Sequence, residues 1–354
     1  MTPAARLSAA IDLIATIDSQ RIPAAKALKE WGTVHRYAGS GDRSAIAGLV
    51  WDVLRRRASS AYLMDDDTPR ARVLGMLRLE RGLGVEAIAA LCDGGRFAPQ
   101  PLSDAEHGAL AARSLKGAPP HIAGDYPEWL DGPLAEVFGD DRVAEATAMA
   151  SRAPLDLRVN TLKSSREAVQ ATLKAAGFES APTPYSPWGL RLVGKPAINK
   201  LEVFTRGDVE VQDEGSQLLA LLTEAKRGEM VVDFCAGAGG KTLALGGMMR
   251  NTGRLYAFDV SGHRLENLKP RLARSGLSNV YSAQIAHEND DRIKRLRGKI
   301  DRVLVDAPCS GLGTLRRNPD LKWRQSPKAI EELQAKQTAI LESAARLLKP
   351  GGRL

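Results

Sequence analysis

The stretch Arg302-Val303-Leu304-Val305-Asp306-Ala307-Pro308-Cys309-Ser310-Gly311-Leu312-Gly313-Thr314 decides the fold. Three apolar residues run into a carboxylate, which predicts a parallel strand buried on both faces over 302–306. Ligands of open α/β sheets bind beyond the carboxyl ends of the strands. A carboxylate, Asp306, and a thiol, Cys309, therefore stand where a substrate is expected. Pro308 fixes the backbone direction between them. Gly311 and Gly313 permit a close approach. The competing reading is an ordinary turn in which Cys309 is a small core hydrophobe.

Working outward, the chain from Asp208 alternates strands and helices. Strands are predicted at Met230–Phe234, Leu255–Asp259 and Val280–Ile285, and helices at Lys241–Met249, Arg264–Ser275 and Pro327–Leu348. Ser326 and Pro327 make a good N-cap and first-turn pair for the last helix. This pattern predicts a Rossmann-like, doubly wound α/β sheet. Before it, residues 121–207 mix short helices and strands as a small α+β module. Residues 1–120 read as an all-α domain of Ala/Leu-rich helices. Ser103 and Glu106 form a capping box, and Ser164 with Glu167 is expected to cap a later helix. Lys116–Pro127, with its prolines and glycines, is the linker candidate.

The segment Asp233-Phe234-Cys235-Ala236-Gly237-Ala238-Gly239-Gly240-Lys241-Thr242 joins a strand to a helix. A Walker P-loop would need glycine at Cys235, and the dinucleotide fingerprint would need one at Thr242. What remains is a glycine turn behind an acidic strand end. Asp259, twenty residues after Gly239, stands where a carboxylate takes the hydroxyls of a ribose. A nucleoside cofactor without a pyrophosphate fits, and S-adenosylmethionine leads. A thiol beside a pyrimidine can add to ring carbon 6 and make carbon 5 nucleophilic. A nearby carboxylate can stabilise charge during that addition. After the thiol, Arg316, Arg317, Lys322 and Arg324 surround Trp323, a composition suited to an unpaired nucleic acid strand. A solvated basic loop is the plainer alternative. The run Arg55-Arg56-Arg57 is read as a helix end, with phosphate contact as the sharper option.

The 354 residues carry 44% hydrophobic and 26% charged residues and a formal charge of +8, which suits a polyanionic partner. Three cysteines, Cys92, Cys235 and Cys309, lie far apart, so neither a disulfide framework nor a zinc site is expected. No secretory leader and no apolar run of about 18 residues is seen. A cytoplasmic protein, acting as a monomer without metal or membrane, is expected.

Together the glycine turn, Asp306-Ala-Pro-Cys-Ser-Gly-Leu-Gly-Thr and Arg317-Asn-Pro-Asp-Leu-Lys-Trp resemble the RNA cytosine-5 methyltransferases of the RsmB (Sun/Fmu) family, bacterial ribosomal RNA type. Val211-Gln212-Asp213-Glu214-Gly215-Ser216-Gln217 and Arg158-Val159-Asn160-Thr161 look like two further family signatures. The resemblance implies methyl transfer from S-adenosylmethionine to carbon 5 of cytosine in RNA, with small-subunit ribosomal RNA first and transfer RNA as the alternative. It implies a NusB-like RNA-binding domain over 1–120 and the methyltransferase domain over 208–354. Cofactor contacts are implied for Cys235, Ala236, Gly237, Ala238, Gly239, Gly240, Lys241, Asp259, Arg264, His287 and Asp306. Catalytic roles fall to Asp306, Lys241 and Cys309, the last assisting product release. RNA contacts fall to Arg316, Arg317, Lys322, Trp323 and Arg324. In the family the attacking thiol belongs to a Thr-Cys pair at the end of the strand after the long helix. This sequence stops at Pro350-Gly351-Gly352-Arg353-Leu354, so a truncated sheet is expected. A DNA cytosine-5 methyltransferase, in which a Pro-Cys thiol itself attacks, and an RNA-binding fragment are the other readings.

Overall fold

The computed structural model describes residues 1–194 and 196–354. They divide into two compact units, 1–153 with 310–330, and 154–309 with 331–354.

The first unit is helical. Its core gathers Leu7, Ile14, Ile46, Val50, Leu74, Met76 and Ile88 from helices that include Pro3–Gln20, Ser40–Arg55 and Pro69–Leu79. The capping box at Ser103 and Glu106 forms as expected. The arginine run is spent inside this unit. Arg55 donates to the carbonyls of Ala150 (3.0 Å) and Arg316 (3.0 Å), Arg56 pairs with Glu80 (2.9 Å), and Arg57 pairs with Asp18 (3.4 Å). The segment expected as a linker is packed instead. Asp125 and Tyr126 are buried, and Asp125 accepts from the backbone and hydroxyl of Ser59 at 2.9 and 2.7 Å.

The second unit holds two sheets. The smaller comprises β1 (Leu155–Val159), β2 (Ser180–Pro182), β3 (Gly189–Leu192) and β4 (Val209–Val211), antiparallel in the order β2-β3-β1-β4. β2 and β4 have three residues each, too few to show an alternation. The boundary expected at 207/208 therefore separates β4 from its own sheet. The helix before β2 is capped by Ser165, whose Oγ accepts from Ala168 N (3.2 Å), rather than by Ser164.

The larger sheet comprises β5 (Met230–Asp233), β6 (Arg254–Asp259), β7 (Val280–Gln284), β8 (Ile300–Leu304) and β9 (Leu348–Arg353), all parallel in the order β7-β6-β5-β8-β9. The order reverses at β5, which makes a crevice beyond its carboxyl end the natural ligand position. Buried Val232, Phe234, Phe258, Ile300 and Val303 form the core on one side. Leu245, Met249 and Leu255 pack in a second cluster with Val231. β8 ends at Leu304, so Asp306 lies past the strand rather than within it. Among the described residues no helix is long and apolar enough to cross a membrane.

Candidate active site

β5 ends at Asp233 and the chain turns through two left-handed glycines, Gly237 (φ 55°) and Gly239 (φ 80°), into the helix Gly240–Met248. A Cβ on Gly239 would overlap the Leu268 side chain, whereas one on Gly237 would point into open space. Gly239→Ala is therefore expected to cost about 1–3 kcal/mol in urea denaturation, from overpacking and backbone strain together. An unchanged midpoint would show that Leu268 can move aside.

Asp259 closes this turn from the end of β6. Its Oδ2 accepts from Gly237 N (2.8 Å) and its Oδ1 from Ser261 N (2.7 Å). Each oxygen keeps a further lone pair for a ligand hydroxyl. Two residues unassigned from sequence complete the support. Asp233, 1% exposed, accepts from Thr242 Oγ1 (2.7 Å) through Oδ2, while its Oδ1 has no partner. Burial pushes its carboxyl up to about 6, against the opposing pull of the Thr242 bond. Arg271 donates to Ala238 O (2.6 Å) and pairs with the buried Glu210 of β4 (3.0 Å). Asp233 carried a signal, its place at a strand end ahead of the glycines. Arg271 carried none, being one of several cations on its helix.

The Asp306 loop meets the glycine turn directly. Lys241 Nζ donates to Asp306 Oδ2 at 2.6 Å, with the ammonium side chain largely covered and the carboxylate half exposed. The Gln337 amide donates to Pro308 O (2.8 Å) and fixes the backbone beside Cys309, whose thiol is exposed. Cys235 is half-buried. Burial pushes its thiol up to about 12, with Asp233, Asp259 and Asp306 adding repulsion. It is therefore a lining group rather than a thiolate. Cys235, Lys241, Asp259, Asp306 and the glycines thus converge. Arg264 has an exposed side chain and serves the structure through its backbone N–H, which Ser261 Oγ accepts (3.4 Å). His287 is exposed, its Nδ1 accepting from Asn289 N (3.1 Å), and Asp290 is used by Ala286 N (3.0 Å) and Arg292 N (2.9 Å).

The two further signatures are architectural. Arg158 is buried, where desolvation lowers its guanidinium to about 10, and it donates to Gln212 (2.6 Å). Asn160 donates to Gly207 O (3.0 Å) and Ser275 O (2.9 Å). Glu214 accepts from Tyr185 N (2.6 Å) and Ser186 N (2.8 Å), and Gln217 from Ser186 Oγ (2.6 Å).

The five expected RNA contacts lie in the first unit, and one expectation is corrected. Lys322 is 3% exposed and donates to Arg55 O (3.3 Å). Desolvation lowers its ammonium to about 8 although Asp125 opposes this, so it is a buried structural cation and presents nothing to a phosphate. Trp323 is half-buried, its indole N–H bonded to Leu54 O (2.8 Å) and its ring in contact with the Arg57 and Lys322 cations. Arg316, Arg317 and Arg324 are exposed. Arg316 donates to Arg152 O (3.0 Å), and Arg324 pairs with Asp320 (3.1 Å).

Comparison with known proteins bears on this geometry. A family model described as 16S rRNA methyltransferase RsmB/F matches residues 220–354, which include every converging group. A second, the RsmF/B-like ferredoxin-like domain, matches residues 126–199. The chain belongs to the RsmB/F methyltransferase family. A probable ribosomal RNA small subunit methyltransferase B from Synechocystis is 37% identical over 65% of this chain and 52% of its own length. One from Pasteurella multocida, a ribosomal RNA small subunit methyltransferase B, is 35% identical over 65% and 51%. The chain thus spans about half the length of these relatives. Among solved structures, a methyltransferase homolog protein from Pyrococcus horikoshii shares 30% identity over 66% of this chain and 73% of that one, with a TM-score of 0.58. PH0851 gives a TM-score of 0.75 at 25% identity over 99% and 85%.

Proposed function

We propose that this chain carries the cofactor and cytosine-recognition residues of an S-adenosylmethionine-dependent RNA cytosine-5 methyltransferase, acting in the cytoplasm on small-subunit ribosomal RNA. The observation that carries this reading is the Lys241–Asp306 pair set against a glycine turn that Asp259 clamps, in a chain of this family. The family relatives, named as ribosomal RNA methyltransferases, support the substrate class.

The residues fit the cofactor. Gly237 leaves open space where a side chain would stand, and Asp233 Oδ1 is a buried acceptor without a donor. Asp259 would hold the ribose hydroxyls, and the backbone of residues 235–240 would line the methionine side. S-adenosylmethionine, when bound, supplies the methyl group. Lys241 fixes the orientation of the Asp306 carboxylate, which can then accept a hydrogen bond from the exocyclic amine of a cytosine. Addition of a thiolate to carbon 6 of that base would place an electron pair at carbon 5. After carbon 5 is alkylated, it must lose its proton before the sulfur–carbon bond can break. Cys309, an exposed cysteine three residues after Asp306, would take that proton as its thiolate.

Calorimetry tests the cofactor half. Asp259→Asn is expected to weaken S-adenosylmethionine binding by about 2 kcal/mol, the scale of a charge-assisted hydrogen bond. Unchanged affinity would remove Asp259 from the site. Arg271 gives an internal control, because Arg271 and Arg274 both pair with Glu210, yet only Arg271 also bonds the glycine turn. Arg271→Met is expected to weaken cofactor binding severalfold, and Arg274→Met to leave it unchanged. Equal effects of the two would make Arg271 a structural residue alone.

A further inference from the structure

We propose that the end of the second helix carries a stacking platform for an unpaired RNA strand, formed by Trp31, His35 and Tyr37 with Arg36 beside them. This rests on the RNA reading above and names a contact surface that the catalytic geometry does not use.

The helix Ala24–Val34 ends at His35, where the backbone leaves the helical region (φ −93°, ψ 66°). The imidazole stacks on the Trp31 indole, with centroids 4.4 Å apart and planes at 13°. Its Nδ1 is 2.9 Å from Trp31 O, which holds the ring in place. The chain then turns so that Tyr37 meets His35 edge to face at 5.7 Å and 78°. Trp31 packs against the helical core, which anchors one end of the array. The other end is open, with Tyr37 72% and Val34 76% exposed. Ala38, buried immediately after, accepts from Arg43 Nε (2.8 Å) and pins the returning chain. An aromatic ring held this way loses little conformational freedom when a base stacks on it.

Charge identifies the occupant. Residues 21–43 contain Arg21, Lys26, Lys29, Arg36 and Arg43 against only two carboxylates. Both carboxylates are engaged, Glu30 by Lys26 (3.7 Å) and Asp42 by Arg6 (2.8 Å) and the N-terminal amine (3.2 Å). The segment that carries the aromatic array therefore has a positive surplus, with exposed Arg36 adjoining Tyr37 in the chain. Base stacking with phosphate pairing is the recognition mode of single strands. A duplex hides the base faces that Tyr37 would contact.

Fluorescence anisotropy of the full chain with a short labelled oligouridylate, titrated across a salt series, tests this. Tyr37→Ala is expected to bind about tenfold more weakly, and Tyr37→Phe to bind as the parent does. Arg36→Gln is expected to flatten the dependence of log affinity on log salt by about 0.7. Because Tyr37 and Arg36 are both exposed, thermal melting should be unchanged, and melting of each variant is recorded alongside. Parent-like affinity of Tyr37→Ala, or an unchanged salt slope for Arg36→Gln, would overturn the platform while the RNA reading stood. Failure of the parent chain to bind oligouridylate even at low salt would instead sink the RNA reading, and the platform with it.

Discussion

RNA carrying 5-fluorocytosine, which traps a thiol added at carbon 6, is expected to form no covalent adduct with the 354-residue chain. Its three thiols differ in what they can do. Cys92 is buried in the helical core, where desolvation raises its thiol. Cys235, pushed up to about 12 by burial with three carboxylates adding repulsion, stays protonated at neutral pH. Only Cys309 is exposed beside Asp306. The resemblance implies attack by a Thr-Cys pair beyond the strand that here begins at Leu348, and these 354 residues contain no such pair. Mass spectrometry after denaturation reads the outcome. Appending a further strand that ends in a Thr-Cys pair should produce the adduct and methyl transfer. In that extended protein Cys309→Ser should methylate once and then remain attached to its product. An adduct mapped to Cys309 in the present chain would make Cys309 the nucleophile and reverse this assignment of roles.

Asp233→Asn is expected to stabilise the protein at pH 7 by up to about 3 kcal/mol, the equivalent of a two-unit pKa shift. Asp233 is fully buried, one oxygen is unpartnered, and its carboxyl is raised from 3.8 to about 6. The sign follows from proton binding. Between about pH 4 and 6 the folded chain keeps a proton that the unfolded chain releases, so stability falls as pH rises through this window. Above it the whole cost of a buried charge is present, and below it none. Asparagine can still accept the Thr242 hydroxyl proton while removing that cost. Urea denaturation should show the gain at pH 7 and little difference at pH 4. Equal stability of parent and variant at pH 7 would mean that the Asp233 charge is not a burden. A cost retained in this way fits a carboxylate kept for a cationic ligand group. S-adenosylmethionine carries such groups, so the stabilised variant should bind it more weakly.

Much of the fold was written in local pattern. Short apolar runs ending in Asp233 and Asp259, each followed by helical spacing, and a third ending in Asp306 announced β5, β6 and β8 in a parallel sheet. The spacing from Gly239 to Asp259 singled out a carboxylate at the end of the next strand, and the fold brings its Oδ2 to Gly237 N. Caps such as Ser103 with Glu106 need only a few residues and were equally legible. Strand runs and caps depend on neighbours within one or two turns of chain, which a sequence displays directly.

Tertiary structure decided which charges are spent and which are free. Lys322 and Trp323 sit in a basic stretch that reads as surface, yet their partners are the backbone carbonyls of Arg55 and Leu54, more than 260 residues away. A cation's burial depends on what closes over it, and no periodicity encodes that. The same holds for Arg271, singled out among the cations of its helix only because Ala238 and Glu210 fold against it. Strand identity, turn chemistry and caps were fixed locally by the sequence. The partners of each buried or presented charge were fixed by contacts distant in sequence, because solvation is a property of the folded surroundings.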